Sequence, residues 1–372
     1  MSRRYLAMKN AERKRNPRPD LIRRHLRDLK PYEPIDPVEV LAERAGIPAE
    51  QVIKLNGNEN PYGCCPRVQR ALAGANSYHI YPDPANRELR QLLEGYTGFG
   101  QEYIAAGSGS DELIDLILRL TLEPGDRVVN CPPTFGMYPF STQVCGGEIV
   151  NVSRKPDYNI DVAAIEAAID ERTKVIFITS PNNPTGNLAS EEDILRLLET
   201  GLLVVVDEAY YEFAGVSVAS LVSSHSNLIV LRSFSKWAGL AGLRVGYGIM
   251  PPQIRESIYQ IKMPYNVTIA AQIAVRESLA DMEYMRGRIE AIVAERERLF
   301  SKLKEQAILD PIPSQANFIL CRVLQGDTLQ IKLSLQNRGI FIRHFDTPLL
   351  KNMIRISVGK PEHTDALVEA LA

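Results

Sequence analysis

Between residues 67 and 263, short apolar runs alternate with segments whose apolar residues recur every three or four positions. The runs EYIAAG, DRVVNC, GEIVNV, KVIFITS, LLVVVDEA and NLIVLRS are short and mostly rich in Val and Ile, with little polar alternation. That pattern predicts strands buried on both faces. DVAAIEAAI and SEEDILRLL, lying between them, have helical spacing. SDELIDLILRLTL places Asp and Glu in its first turn, where the helix dipole favours them. Strand and helix in alternation predict an α/β fold with a mostly parallel sheet sandwiched by helices.

The flanks read differently. Residues 1–18 are polar and basic, which predicts a flexible, solvated tail. Leu21, Ile22, His25, Leu26 and Leu29 fall near helical spacing, so a helix is expected from Asp20, its N-cap, to Pro31. A second short helix is expected over Val38–Ala45, ahead of the loop NGNENPYG. Past Met263 a long helical run, Ile269–Gln306, precedes short strands at NFILCR, IFIRHF and MIRISVG and a last helix at His363–Ala372. The expected organisation is a large domain over 67–268 and a smaller α+β domain. The smaller one combines 19–66 with 269–372.

At 372 residues the chain is long enough for such a pair. Its formal net charge of −2 gives no electrostatic ground for a nucleic-acid or membrane partner, and no apolar stretch is long enough to span a bilayer. The N-terminus is basic but has no apolar stretch after it, so it does not resemble a secretory signal. Five cysteines without CxxC spacing suggest neither a disulfide framework nor a metal site. Reduced thiols in a cytoplasmic protein are the expectation.

Four segments carry candidate chemistry. In SFSKWAGLAGLRVG a lysine, Lys236, sits between a Ser-rich turn and a Gly-rich apolar stretch. Alone, it reads as an exposed loop lysine. SPNNPTGN forms a tight turn directly after the strand KVIFITS, at the end of a strand where open α/β sheets bind ligands. VVVDEAYYEF ends an apolar strand on Asp207, and a buried carboxylate needs a cationic or hydrogen-bonding partner. GSGSDE opens a helix whose backbone N–H groups suit a phosphate. A protonated pyridine nitrogen would satisfy Asp207, and a lysine plus such an acid is the arrangement that pyridoxal 5′-phosphate requires.

Taken in order, LNGNENPYG, YPDP, GSGSDE, PPTFGMY, SPNNPTG, DEAYYEF, SFSKWAGLAGLRVG, NFILCR and IRISVG resemble the histidinol-phosphate aminotransferases, of the aspartate-aminotransferase fold type. The resemblance runs from about Leu21 to the C-terminus. It implies that Lys236 binds pyridoxal 5′-phosphate covalently and shuttles a proton, and that Asp207 pairs with the ring nitrogen. Asn183 and Tyr210 are implied at the ring hydroxyl and Phe135 on the ring face. Many relatives have tyrosine in place of Phe135. The cofactor phosphate is implied to rest on backbone groups of Ser110 and Asp111, the hydroxyls of Ser233 and Ser235, and Arg244. Tyr81, in YPDP, is implied to reach the phosphate of a neighbouring subunit in a homodimer; a packed turn tyrosine is the alternative.

For the substrate the resemblance points to Arg355 and Arg343, whose guanidinium forks suit both the phosphate of histidinol phosphate and the carboxylates of glutamate. A surface ion pair is the competing role for Arg343. Tyr32, Asn317 and Asn58 match positions near the substrate. The implied reaction is transamination between L-histidinol phosphate and 2-oxoglutarate. The competing functions are an aromatic or broad-range aminotransferase, a phosphothreonine-type decarboxylase on the same scaffold, and a non-catalytic module fused to a DNA-binding domain. The last needs more chain than the basic tail provides.

Overall fold

The structure is a computed structural model and describes residues 21–371. The basic tail at 1–18, the Asp20 cap and Ala372 lie outside the described residues. Twelve strands occur among those described, in chain order Ile53–Leu55 (β1), Ile104–Gly107 (β2), Arg127–Asn130 (β3), Glu148–Asn151 (β4), Thr173–Thr179 (β5) and Leu203–Asp207 (β6). They continue with Leu228–Ser233 (β7), Gly246–Ile249 (β8), Leu309–Pro311 (β9), Phe318–Val323 (β10), Ile340–His344 (β11) and Met353–Ser357 (β12).

A seven-stranded sheet has the order β2-β8-β7-β6-β5-β3-β4. Strands β3 to β7 pair in parallel, and β8 runs against both its neighbours. The mostly parallel sheet expected from the Val and Ile runs is therefore present. Alternate residues of each strand enter different apolar clusters. Val205, Ile229 and Leu231 meet the helices Ser110–Thr121 and Pro252–Ile261. Val204, Val206 and Val230 pack with Leu93, Ile165 and Ile194 on the other side. Each of these fully buried Val, Ile or Leu side chains contributes about 1.5–3 kcal/mol. The two-sided burial explains why the strands have no polar face.

The second sheet has five strands in the order β1-β11-β12-β10-β9. Strand β1 pairs with β11 in parallel, which ties the segment after Val38–Ala45 to the C-terminal third of the chain.

Two expectations are corrected. The run Leu21–Leu29 forms only a 3-10 turn at Arg24–Leu26. None of its residues is buried and Leu21 is 76% exposed; the turn touches the helix Met137–Cys145 but buries too little apolar surface there to hold a full helix. The single helix expected over Ile269–Gln306 is two helices, Ile269–Leu279 and Met282–Lys304, separated at Asp281, where the backbone (φ −126, ψ 48) leaves the helical region. The first packs on the helices Pro66–Gly74 and Arg87–Thr97, the second beside β9 and the helix Pro361–Leu371. The break lets the chain follow two differently oriented surfaces.

Candidate active site

The carboxyl ends of the parallel strands open onto a cavity of about 500 Å³. Asn130 at the end of β3, Thr179 of β5, Asp207 of β6 and Ser233 of β7 line it, along with the start of the helix Ser110–Thr121. In open α/β sheets this edge binds ligands because helix N-termini and strand-end loops converge there. Of the residues expected from sequence, Tyr32, Asn58, Ser110, Asp111, Phe135, Asn183, Asp207, Tyr210, Ser233, Ser235, Lys236, Arg244, Arg343 and Arg355 all line this cavity.

Asn317 and Tyr81 do not. Asn317 is fully buried behind the wall, where its Nδ2 donates to the carbonyl of Asn58 at 3.0 Å. Tyr81 is 76% exposed and stacks on Tyr265 with ring centroids 4.4 Å apart.

Asp207 forms the floor. Its carboxylate accepts from the Tyr138 hydroxyl at 2.8 Å and from the Ala209 N–H at 3.0 Å, and it has no ion pair among the described residues. Burial raises its pKa to about 6, against the lowering effect of the Tyr138 hydrogen bond. The Lys236 amine has a carbonyl at 3.5 Å, that of Gly57, as its hydrogen-bond partner. Burial pushes this amine down to about 8, helped by the charge of Arg355. An amine with a lowered pKa and a carboxylate with a raised one thus share one cavity, the juxtaposition expected of a reacting centre.

At one end the helix Ser110–Thr121 begins without a side-chain cap, which leaves its first N–H groups free. Gly109 stands there at φ 79, and a Cβ on it would meet Arg244 Nη2 at 2.5 Å. A Cβ on Gly246 would meet the Ser110 nitrogen at 2.6 Å, so this glycine lets β8 and the helix start close together. Arg244 itself is left-handed (φ 52, ψ 71), a conformation that costs a non-glycine residue about 1–3 kcal/mol and is held by its surroundings. Its Nη2 pairs with Asp111 at 2.8 Å and its Nη1 reaches the Ser235 hydroxyl at 3.4 Å. Free amides, three hydroxyls and a guanidinium make a cradle for a doubly charged anion.

The opposite end comes from the second sheet. Arg355 is buried, donating to Asn183 Oδ1 at 2.6 Å and to the Asn56 carbonyl at 2.8 Å, and its Nε has no partner. Burial lowers its pKa to about 10. Across the β11–β12 pair, Arg343 stands directly opposite Arg355, and neither has an ion pair among the described residues. Like charges placed opposite each other oppose folding, and a bound anion would relieve that cost. Tyr210 accepts from Asn58 Nδ2 at 3.0 Å and Asn183 Nδ2 at 3.3 Å, which joins the two ends of the cavity. The Ser357 hydroxyl holds Asn58 by its backbone N–H and by its Oδ1, both at 2.9 Å.

Tyr138 was not singled out from sequence. It lies three residues after Phe135, at the start of the helix Met137–Cys145, and the two rings meet edge to face with centroids 5.6 Å apart. Its ring stacks on Phe177 at 4.6 Å, and its hydroxyl bridges Thr179 and Asp207. The PPTFGMY spacing contains that signal. Ser357 and Asn56 fall within the motifs IRISVG and LNGNENPYG, but nothing in those motifs says what either side chain or carbonyl holds.

The model of aminotransferase class I and II matches residues 50–371. The histidinol-phosphate aminotransferase of Dehalococcoides mccartyi is 50% identical, with 94% of this chain and 96% of that protein covered. The chain belongs to the histidinol-phosphate aminotransferase family. The chloroplastic member from Nicotiana tabacum is also 50% identical, over 94% of this chain and 86% of its own. The histidinol-phosphate aminotransferase of Sinorhizobium meliloti, solved in complex with pyridoxal 5′-phosphate, superposes with a TM-score of 0.86 at 27% identity. That match covers 94% of this chain and 96% of the other. The aspartate-aminotransferase fold type expected from the motifs is thus the fold observed.

Proposed function

We propose that this protein is a pyridoxal-phosphate-dependent transaminase that exchanges the amino group between L-histidinol phosphate and 2-oxoglutarate. One observation carries the reading: a buried amine, Lys236, and an unneutralised carboxylate, Asp207, lie in one cavity between an anion cradle and the unpaired Arg355. The residues that line the cavity suit each end of the cofactor. Asp207 provides the counter-charge a protonated ring nitrogen needs, and Ser110, Ser233, Ser235 and Arg244 would hold the phosphate. Phe135 would cover the ring and Asn183 with Tyr210 would hold its hydroxyl oxygen.

When bound, pyridoxal phosphate supplies an aldehyde for the amino group and a ring that withdraws electrons from the substrate α-carbon. The rest is this chain's work. Lys236 Nζ, whose pKa burial lowers to about 8, would take the proton from the substrate α-carbon and deliver it to the cofactor carbon that receives the amino group. Asp207, oriented by the Tyr138 hydroxyl, would keep a proton on the ring nitrogen. Arg355 and Arg343 bind the anionic end of each amino donor in turn, with Tyr32 and Asn58 beside them. Arg343 on β11 and Arg355 on β12 would belong to the smaller of two domains, 19–66 with 269–372, and act beside the large one at 67–268.

The active unit we propose is a homodimer. The exposed Tyr81–Tyr265 stack, away from this chain's own cavity, supports Tyr81 reaching a second copy. Five free cysteines support a reducing compartment such as the cytoplasm. No helix among the described residues is long and apolar enough to cross a membrane.

A visible spectrum tests the function. The expected result is a cofactor band that shifts on adding L-histidinol phosphate alone and returns with 2-oxoglutarate. A band that responds to aromatic amino acids instead, or phosphothreonine that loses carbon dioxide, moves the substrate assignment. No band after cofactor is supplied overturns the proposal.

A further inference from the structure

We propose that the buried Glu208–Arg232 ion pair is a positioning device that fixes Asp207 and Lys236 relative to each other from beneath the cavity. Glu208 follows Asp207 in the chain and Arg232 precedes Ser233, yet neither lines the cavity. Their side chains are 2% and 6% exposed and meet at 2.9 Å.

Glu208 also accepts from the Ser217 hydroxyl at 2.7 Å and the Val218 N–H at 2.8 Å. Arg232 donates to the same hydroxyl at 2.7 Å and lies 3.6 Å over the Tyr211 ring. Glu212 and Tyr247 face the guanidinium as well. Tyr96 links this network to the lysine. Its hydroxyl donates to Glu212 at 3.2 Å, and its ring stacks on Trp237, the residue after Lys236, with centroids 5.7 Å apart. The network thus touches the chain neighbours of Asp207, Ser233 and Lys236.

The ladder between β6 and β7 finishes with the Glu208 N–H donating to the Leu231 carbonyl at 2.8 Å. Asp207 is the last residue of β6, and just past that bond the side chains of Glu208 and Arg232 tie the end of β6 to the stretch of β7 that leads into Lys236. Apolar residues of similar volume would stabilise the fold as well or better than a buried ion pair. What the charged pair adds is direction, because its hydrogen bonds allow one arrangement of the two strand ends.

The inference rests on Asp207 and Lys236 serving the cofactor as described above. Its test compares the loaded wild type with Arg232→Met and with the double variant Arg232→Met/Glu208→Gln. The readouts are kcat, KM, the pH midpoint of the cofactor band and thermal stability. Displacing a reacting group by a fraction of an ångström lowers kcat about tenfold or more with little change in KM. The band midpoint is expected to move by about half a pH unit or more. The double variant, which removes the carboxylate that Arg232→Met strands at position 208, should recover thermal stability while kcat and the midpoint stay displaced. Ser217→Ala, a milder change that removes the bridging hydroxyl, should displace both in the same direction even if Arg232→Met does not fold. A double variant with wild-type kcat and midpoint overturns the proposal. So does a loss of kcat that simply tracks stability. Absence of a band in the wild type removes the cofactor reading and this one with it; a normal wild-type band with unchanged variants removes this one alone.

Discussion

Arg232 and Arg355 are equally hidden, at 5% and 6% exposure, and differ in what surrounds them. Arg232 lies under the floor beside a carboxylate, with Ser217 and Tyr211 completing its shell. Burial works against its charge, but Tyr247, Glu208 and Glu212 outweigh burial and raise its pKa. Arg355 faces the cavity with an amide oxygen, a carbonyl, and a like charge opposite, and burial lowers its pKa. A buried cation that is fully paired serves the fold; one left short of an anion is poised for a ligand that brings one.

The sharpest contrast is with the reacting centre, which neither arginine can replace. Lys236→Ala is expected to abolish turnover and the visible band of the bound cofactor, both read in a single spectrophotometric assay. Next comes stability. Arg232→Met strands Glu208 and should cost about 3–5 kcal/mol in denaturant unfolding of the cofactor-free protein. Arg355→Met removes an unneutralised charge and should change stability by less than about 1 kcal/mol. Equal losses for the two would break the comparison.

In catalysis the order reverses for substrate binding. Arg355→Met should raise KM for L-histidinol phosphate and for glutamate together, by about tenfold to hundredfold. An effect on neither removes Arg355 from the substrate end. The smallest effect is in pH. The neutral amine is the reactive form of Lys236, so cofactor uptake by the cofactor-free protein should climb with pH and level off above about 8. An exposed lysine, with its ordinary pKa of about 10.4, would keep climbing past that point.

Much of this was legible in the chain. The strands of the large sheet stood out because burial on both faces requires apolar runs, as in Val204 to Val206 and Leu228 to Leu231. Lys236 and Asp207 stood out because charged residues are rare beside such runs. The segments at Leu21–Leu29 and Ile269–Gln306 misled, since apolar spacing says nothing about whether a surface exists to receive it, or whether one surface continues for ten turns. Tyr138 escaped because a tyrosine in the first turn of a helix looks the same whether its hydroxyl meets water or Asp207.

Sequence alone determined the Val- and Ile-rich strands of the large sheet and the order in which the chemistry-bearing loops follow one another, because periodicity and turn chemistry act over a few residues. Tertiary structure decided which loops meet. Asn58 is bound to Ser357 across 299 positions of chain, and Arg343 comes to face Arg355 through the register of β11 on β12. Whether a buried charge finds its partner is settled by such long-range contacts, which separate the paired Arg232 of the floor from the unpaired Arg355 of the cavity.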